Sequence, residues 1–309
     1  MPIPDYQSLM LPLLVAAAEG EIRSPVAVNR IADQLGLTED ERSEMLPSGR
    51  QPLLYNRIHW AKFYMSKAGL IESPQRGVFI ATQAGKDLLA DHPTRIDVEM
   101  LKSYPAFLEF QQSSTSKQSV EDNQDATTAA TISSVTPEEQ IDAAHSVLSS
   151  ALRADILARV LDQTPTFFER VIVELLVAMG YGGSHENAAM RLGKSGDGGI
   201  DGIVDEDRLG LDRIYIQAKR YAVHSSIGRP EIQGFVGSLV GLGASKGVFV
   251  TTSTFSAPAV EFVKGLQQRV ILIDGARLTE LMVEFGVGVR VNRIVEVKRL
   301  DEDFFAEEI

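Results

Sequence analysis

Apolar residues recur with helical spacing over the first hundred positions. Between residues 5 and 19 they stand at 9, 10, 13, 14 and 17, a spacing that places them on one face of an amphipathic helix. The pattern predicts helices at 5–19, 26–35, 53–68 and 85–91. Two short apolar runs, 70–71 and 78–80, flank the turn sequence SPQRG and predict a β-ribbon. Three helices, a ribbon and a further helix are typical of a winged helix, which we predict for residues 1–104.

The remainder of the chain alternates between helical and strand patterns. Helices are expected at 138–160, 167–179, 231–242, 258–268 and 278–285. Runs of strand length are expected at 199–204, 214–219, 247–252 and 270–273. Such alternation builds an α/β domain, because each helix can bury its apolar face on a central sheet. We predict this domain over 141–300, with a mixed central sheet and helices on both faces.

The stretch between these two parts differs in composition. Residues 111–136 read QQSSTSKQSVEDNQDATTAATISSVT and hold almost no large apolar side chain. A segment of this kind cannot bury enough surface to offset the entropy that is lost on ordering. We therefore predict a flexible linker at 105–140. Residues 301–309 carry five acidic side chains and no basic one, which predicts an acidic tail.

Composition excludes several classes of protein. The chain has 309 residues, 44 % of them hydrophobic and 23 % charged, which is ordinary for a globular protein of two domains. The absence of cysteine excludes a disulfide scaffold, a cysteine-ligated zinc site and thiol catalysis. The N-terminus carries no signal-peptide pattern, and no apolar run approaches the ~20 residues of a membrane helix. We expect a cytoplasmic protein without a membrane partner.

The net charge of −12 argues at first against a nucleic-acid partner, but its distribution changes the picture. Much of the negative charge lies in the predicted linker and tail. Residues 50–86, by contrast, hold six basic side chains against Glu72 alone. Phosphate contact requires a local basic patch, so the predicted DNA-binding residues are Arg50, Arg57, Lys62, Lys67 and Arg76. The alternative is a winged helix that serves only protein contact.

One cluster in the second part of the chain indicates catalysis. Asp201 follows a glycine-rich loop, and the strand IYIQAKRY comes next at hairpin distance. Because side chains alternate along a strand, Gln217 and Lys219 project to one face and can meet Asp201 if the two strands are neighbours. A carboxylate, an amide oxygen and an ammonium suit a hard divalent cation with a polarised water. No histidine pair with zinc-hydrolase spacing and no Gly-x-Ser-x-Gly elbow occurs.

The sequence GDGGID followed by IYIQAKRY resembles the PD-(D/E)xK nuclease superfamily. Within it, the chain is similar to the catalytic domain of Mrr-type restriction endonucleases, which carry Gln before x-Lys. Six segments match in order: PTFFERVIVELLVAMGYG (165–182), GDGGIDGI (196–203), IQAKRY (216–221), EIQGFVGSL (231–239), KGVFVTTSTFS (246–256) and VILIDGARLTELM (270–282). A winged helix followed by a linker is also the Mrr arrangement. The resemblance implies a restriction-endonuclease-like fold for the second domain.

The resemblance also implies roles for individual residues. Asp201 and Gln217 correspond to the metal ligands, and Lys219 to the lysine that orients water or stabilises charge on the phosphate. Glu169 corresponds to a helix carboxylate that related nucleases add to the site. Asp197 is expected to cap the glycine turn.

The implied activity is hydrolysis of DNA phosphodiester bonds with Mg²⁺, or Mn²⁺ as a substitute, in the restriction of modified, methylated double-stranded DNA. Two alternatives stay open: a non-cleaving DNA-binding or regulatory protein on a nuclease fold, and a structure-selective repair or junction nuclease. The intact set of Asp201, Gln217 and Lys219 argues against the first alternative. Cleavage of both strands favours an even number of catalytic domains, so a homodimer or homotetramer is expected.

Overall fold

The computed structural model describes residues 2–115, 134–182, 199–207 and 211–300. Its contact pattern divides the chain into a first unit, Met1–Ser146 together with the residues from Val297, and a second unit, Val147–Glu296. Asp197 and the acidic tail lie outside the described residues. Within the described parts of the chain, no helix combines the length and the apolar character needed to cross a bilayer.

The first unit combines helices with a small antiparallel sheet. Its helices are α1 Met10–Ala18, α2 Ser24–Gln34, α3 Glu39–Arg42, α4 Leu53–Lys67, α5 Gln83–Ala90, α6 Val98–Leu101 and α7 Pro105–Thr115, and the helix α8 Pro137–Asp162 begins in this unit. Its strands are β1 Ile22–Arg23, β2 Ile71–Gln75 and β3 Val78–Ala81, in the order β1-β3-β2. The predicted succession of three helices, ribbon and helix is present, with α3, α6, α7 and β1 in addition.

Local chemistry explains where α4 ends and α5 begins. Gly69 adopts φ +76°, a left-handed conformation that glycine takes without steric cost, and the chain then turns into β2. Thr82 caps α5, because its hydroxyl accepts a 3.2 Å hydrogen bond from the N–H of Gly85. Helices α1, α2 and α4 meet in one apolar core, in which Leu13, Ile31 and similar side chains are fully buried.

Both ends of the predicted linker at 105–140 are helical, which corrects its boundaries. In α7, Phe107 is fully buried, and the ring of Phe110 packs edge-on against Phe63 at 5.6 Å. On the far side, Thr136 is fully buried and precedes α8. The polar composition of this stretch concealed these few anchors. Residues 116–133, the middle of the predicted linker, lie outside the described residues.

The second unit contains a four-stranded mixed sheet. Its elements, after the end of α8, are α9 Pro165–Ala178, β4 Gly202–Asp205, β5 Arg213–Lys219, β6 Ser226–Ile227, α10 Arg229–Gly241, β7 Lys246–Thr251, β8 Thr254–Phe255, α11 Ala257–Lys264, β9 Arg269–Ile273 and α12 Gly275–Glu284. The sheet has the order β4-β5-β7-β9; β4 and β5 are antiparallel, and the other two pairs are parallel. The mixed sheet predicted from the alternating pattern is confirmed.

Alternation along the strands separates two apolar layers. Val248 and Val250 of β7 face one layer, which α9 and α12 cover, whereas Phe249 faces the other, which α10 and α11 cover. Burial of both faces requires a continuous apolar run, and β7 has one. In the register of β5 with β7, Lys219 lies opposite Thr251, so the carboxyl ends of these two parallel strands lie side by side.

Candidate active site

Asp201 immediately precedes β4 and is bound to β5 twice. Its backbone N–H donates a 2.8 Å hydrogen bond to the carbonyl of Ile216. Its side-chain Oδ2 accepts a second, also of 2.8 Å, from the backbone N–H of Ala218. The antiparallel pairing of β4 with β5, in which Gly202 lies opposite Ile216, provides this geometry. Asp201 is therefore fixed beside the strand that carries Gln217 and Lys219.

Gln217 is a buried polar side chain with one unsatisfied atom. The residue is 8 % exposed, and its carbonyl Oε1 is the only buried side-chain nitrogen or oxygen without a hydrogen-bond partner in the described parts of the chain. A buried acceptor that lacks a partner costs about 1–3 kcal/mol, so it points to a missing ligand. The side-chain amide nitrogen of Gln217 lies 2.8 Å from the position that a Cβ atom would occupy at Gly199. Gly199, at φ +95°, thus leaves the space that Gln217 occupies.

The strand end that carries Lys219 is anchored by two buried threonines. The hydroxyl of Thr251, which is fully buried, donates a 2.8 Å hydrogen bond to the backbone carbonyl of Lys219. The hydroxyl of Thr252 donates to the carbonyl of Tyr221 and accepts from its N–H, at 2.7 and 3.0 Å. Our sequence reasoning assigned no role to these threonines. The available signal was a polar run, TTS, at the end of a buried apolar strand.

Glu169 lies on α9 within electrostatic range of the same cluster. Burial raises the pKa of its carboxyl, the negative charge of Asp201 raises it further, and the ammonium of Lys219 acts in the opposite direction. The helix that carries it begins at Thr164, whose hydroxyl accepts a 3.2 Å hydrogen bond from the N–H of Phe167. All four catalytic residues predicted from the sequence therefore belong to one neighbourhood.

The donor set fits a hard divalent cation. Such cations prefer carboxylate and carbonyl oxygens, and the cluster offers Asp201, Glu169 and the unsatisfied Oε1 of Gln217. No group of three or more His, Cys, Asp or Glu side chains that could hold a metal occurs among the residues that the structure covers. The cluster of Asp201, Glu169 and Gln217 contains only two carboxylates, and its third oxygen donor is an amide, so it does not form such a group.

The predicted DNA-binding residues of the first unit occupy different surroundings. Arg50 is exposed, and Arg76 is exposed at the turn between β2 and β3. The ammonium of Lys62 lies 5.5 Å from the ring centre of Phe79, and that of Lys67 lies over the rings of Phe63 and Phe110 at 5.3 and 5.6 Å. Three of these side chains are exposed, and that of Lys62 is half-buried.

Arg57 is held inside the first unit. Its guanidinium donates to the carbonyls of Ile3 and Pro4, at 2.5 and 3.1 Å, and forms a 2.6 Å ion pair with Glu139. The two paired side chains are only 16 % and 12 % exposed. Arg57 therefore connects α4 with the start of α8, and we remove it from the proposed DNA-binding surface. Arg57 was predicted to bind DNA because it is basic. Its ion-pair partner Glu139 lies 82 residues away in sequence, so no local pattern indicated the pair.

Two further contacts complete this attachment of α8 to α4. Thr136 donates a 2.7 Å hydrogen bond to the side chain of Asn56, and both residues are buried. The indole N–H of Trp60 donates a 2.5 Å hydrogen bond to Glu138. The side of α4 that bears Asn56, Arg57 and Trp60 is thus covered by the protein itself.

Each of the two units contains a match to a protein-family model. Residues 160–282 match the model of the family described as "Restriction endonuclease", and residues 6–91 match that of the "Mrr N-terminal domain". The chain is 36 % identical over 312 residues to the "Type IV methyl-directed restriction enzyme EcoKMrr" of Escherichia coli (strain K12), covering 99 % of this chain and 100 % of that protein. The chain belongs to the Mrr family of restriction endonucleases.

Two solved structures resemble part of the chain. The DNA modification-dependent restriction endonuclease AspBHI shares 22 % identity at a TM-score of 0.36, with 46 % of this chain and 36 % of that chain covered. The MspJI restriction endonuclease, in complex with a 27-mer oligonucleotide, shares 25 % identity at a TM-score of 0.31, with 46 % and 38 % covered. The match spans well under half of either of those longer proteins.

Proposed function

We propose that this chain is a Mg²⁺-dependent endonuclease that restricts modified, methylated DNA. The observation that carries the proposal is the buried, unsatisfied carbonyl of Gln217 beside the fixed carboxylate of Asp201. Membership of the Mrr family supports the nuclease class. The description of the Escherichia coli relative as methyl-directed supports a methylated substrate.

In this proposal each site residue has a separate task. Asp201 and the Oε1 of Gln217 hold the cation, with Glu169 as a further carboxylate. The bound cation would supply charge stabilisation at the scissile phosphate and a water of lowered pKa. Lys219 directs its ammonium at the negative charge that builds up on the phosphate during hydrolysis. Because Gln217 is a neutral ligand, we expect only modest affinity for the metal.

We propose that the first unit is a winged helix that binds duplex DNA. Arg50, Lys62, Lys67 and Arg76 would contact phosphates, since they are cations at the surface of the unit. One active site cuts one strand, so cleavage of both strands favours a homodimer or homotetramer. A cytoplasmic location stays a prediction.

Cleavage of supercoiled methylated plasmid in buffers that differ only in the cation tests the metal dependence. We expect nicked and linear products with Mg²⁺ or Mn²⁺, and none with EDTA. The variant Gln217→Leu should lose cleavage at all Mg²⁺ concentrations, because it removes the amide ligand while keeping a side chain of similar size. Cleavage in EDTA would contradict the proposal.

A further inference from the structure

A depression open to solvent lies between α2, α4 and β3 in the first unit. It is lined by Ser24, Val28, Tyr55, Ile58, His59, Lys62 and Phe79. Its floor is apolar, since Ile58 and Phe79 are almost fully buried and Val28 packs against the core. Its rim is polar and aromatic, with Tyr55 37 % exposed. An apolar floor within a polar rim suits a small apolar group on an otherwise polar ligand.

The depression lies on the face of α4 that the protein leaves accessible. Successive residues of a helix are about 100° apart, so Tyr55, His59 and Lys62 fall within about 60° of one another. Arg57, which is bound to Glu139, points about 160° away from both Tyr55 and His59. The side of α4 that contacts α8 and the side that lines the depression are therefore different, and the exposed residues Tyr55 and His59 belong to the lined side.

Charge and shape on this side fit duplex DNA. Lys62 places its ammonium over the floor, 5.5 Å from the ring centre of Phe79, and Arg76 is exposed at the turn next to β3. A helix presented in this way enters the major groove in winged-helix proteins. In that groove the base edges are polar, and methyl groups are their apolar features. These groups are the C5-methyl of thymine and the methyl groups of 5-methylcytosine and N6-methyladenine.

We propose that this depression receives the methyl group of a modified base in the major groove, with Val28, Ile58 and Phe79 as its floor and Tyr55 and His59 as its walls. The inference rests on the proposed function, because it names the part of the molecule that distinguishes methylated DNA. Burial of one methyl group corresponds to about fourfold in affinity. The dissociation constant of the unmethylated duplex should therefore be about four times that of the methylated duplex.

The test is equilibrium binding of the full-length protein in EDTA, so that no cleavage interferes. The probes are mixed-sequence duplexes methylated at cytosine C5 or at adenine N6, the same duplexes without methylation, and unmethylated duplexes with thymine replaced by uracil. Val28→Phe fills the depression and should reduce the methyl preference to about one. The matched control Val26→Phe changes an exposed residue of the same helix that does not line the depression, and should keep the wild-type ratio.

A second variant keeps the test decisive if Val28→Phe does not fold. Tyr55→Ala removes one wall at an exposed position, and it should also reduce the ratio between the dissociation constants of unmethylated and methylated duplexes to about one. Retention of the methyl preference in a folded Val28→Phe or Tyr55→Ala variant would overturn the proposal. The proposal would also be overturned if wild-type protein responded to the replacement of thymine by uracil but not to methylation of cytosine or adenine. The depression would then recognise the methyl group of thymine. Methyl-dependent cleavage without methyl-dependent binding would overturn it while leaving the proposed function intact.

Discussion

The hydroxyl of Thr251 donates a 2.8 Å hydrogen bond to the backbone carbonyl of Lys219, across the parallel pair β5 and β7. Thr251 is fully buried, and its oxygen also lies 3.1 Å from the hydroxyl of Ser253. A buried network of this kind fixes its members, because breaking one bond leaves other polar groups unsatisfied. Lys219 thus projects its flexible side chain from a rigid backbone position.

Loss of the Thr251 hydroxyl should therefore reduce catalysis more than binding. Thr251→Val keeps the shape but leaves the Lys219 carbonyl without this donor, and a displacement of about 1 Å at a reacting group can cost about 100-fold. We expect a fall of roughly 10- to 100-fold in kcat with KM nearly unchanged, and recovery in Thr251→Ser. Steady-state kinetics on a methylated plasmid gives both constants. A raised KM at constant kcat would show that Thr251 does not position Lys219.

Lys219 itself should act through a compact, directed charge. Lys219→Ala should lower the single-turnover cleavage rate by at least about 100-fold, the scale for removal of one preorganised electrostatic group. Lys219→Arg should also be slow, because a planar guanidinium does not replace an ammonium. Quench-flow measurements at saturating Mg²⁺ provide the rates. Near-wild-type activity of the arginine variant would reduce Lys219 to a source of diffuse charge.

The pair of Arg57 and Glu139 should contribute pH-dependent stability to the first unit. Burial raises the pKa of Glu139, but hydrogen bonds from Arg57 and from the N–H of Thr136, together with the guanidinium charge, outweigh it and hold the pKa below its usual value. A lowered carboxyl pKa stabilises the fold above the unfolded pKa of about 4.3, and this contribution is lost as pH falls through the folded pKa.

Glu139→Gln should accordingly lower the free energy of unfolding at pH 7 by about 1.5–3 kcal/mol, with a smaller difference in acid. The fluorescence of Trp60, the only tryptophan of the chain, reports on this unit during urea unfolding. The control Glu99→Gln alters an exposed pair with Lys102 and should change the unfolding free energy by less than about 0.5 kcal/mol. An equal effect of both variants at pH 7 would contradict the assigned role of Glu139.

The salt dependence of DNA binding should reveal the proposed phosphate contacts of Lys62 and Arg76. Each lost contact reduces the slope of log affinity against log salt by about 0.9, so Lys62→Gln with Arg76→Gln should reduce it by nearly 2. The control Arg95→Gln, at an exposed site of the same unit, should leave the slope unchanged. Fluorescence anisotropy at several salt concentrations measures the slope. An unchanged slope in the double variant would place the phosphate contacts elsewhere.

Apolar spacing was sufficient to predict most elements. The stretch 167–179 was predicted as a helix and is Pro165–Ala178, and 214–219 was predicted as a strand and is Arg213–Lys219. Both bury an unbroken apolar stripe, which the sequence displays directly. Helix α7 was not predicted, because its apolar residues are confined to its first six positions and the polar run QQSST follows them. Buried Thr136 gave no apolar signal at all.

In the candidate site, too, some residues could be predicted from the sequence and others could not. Alternation along one strand placed Gln217 and Lys219 on the same face, and the short separation from Asp201 indicated a hairpin. The proximity of Glu169 was inferred from resemblance, because it depends on how α9 packs, which no local pattern encodes. The role of Thr251 depends on the register of two strands separated by a helix. Single residues do not reveal long-range register, so only the structure shows it.

The most direct test of the account is cleavage of one plasmid, prepared in methylated and unmethylated form, by wild-type protein and by Asp201→Asn in the presence of Mg²⁺. Asn keeps an oxygen that can accept from the N–H of Ala218 but removes the carboxylate charge that a cation requires. We expect wild-type protein to cut the methylated plasmid in preference to the unmethylated one, and Asp201→Asn to bind both forms and cut neither. Cleavage of methylated plasmid by Asp201→Asn at the wild-type rate would show that Asp201 is not a metal ligand.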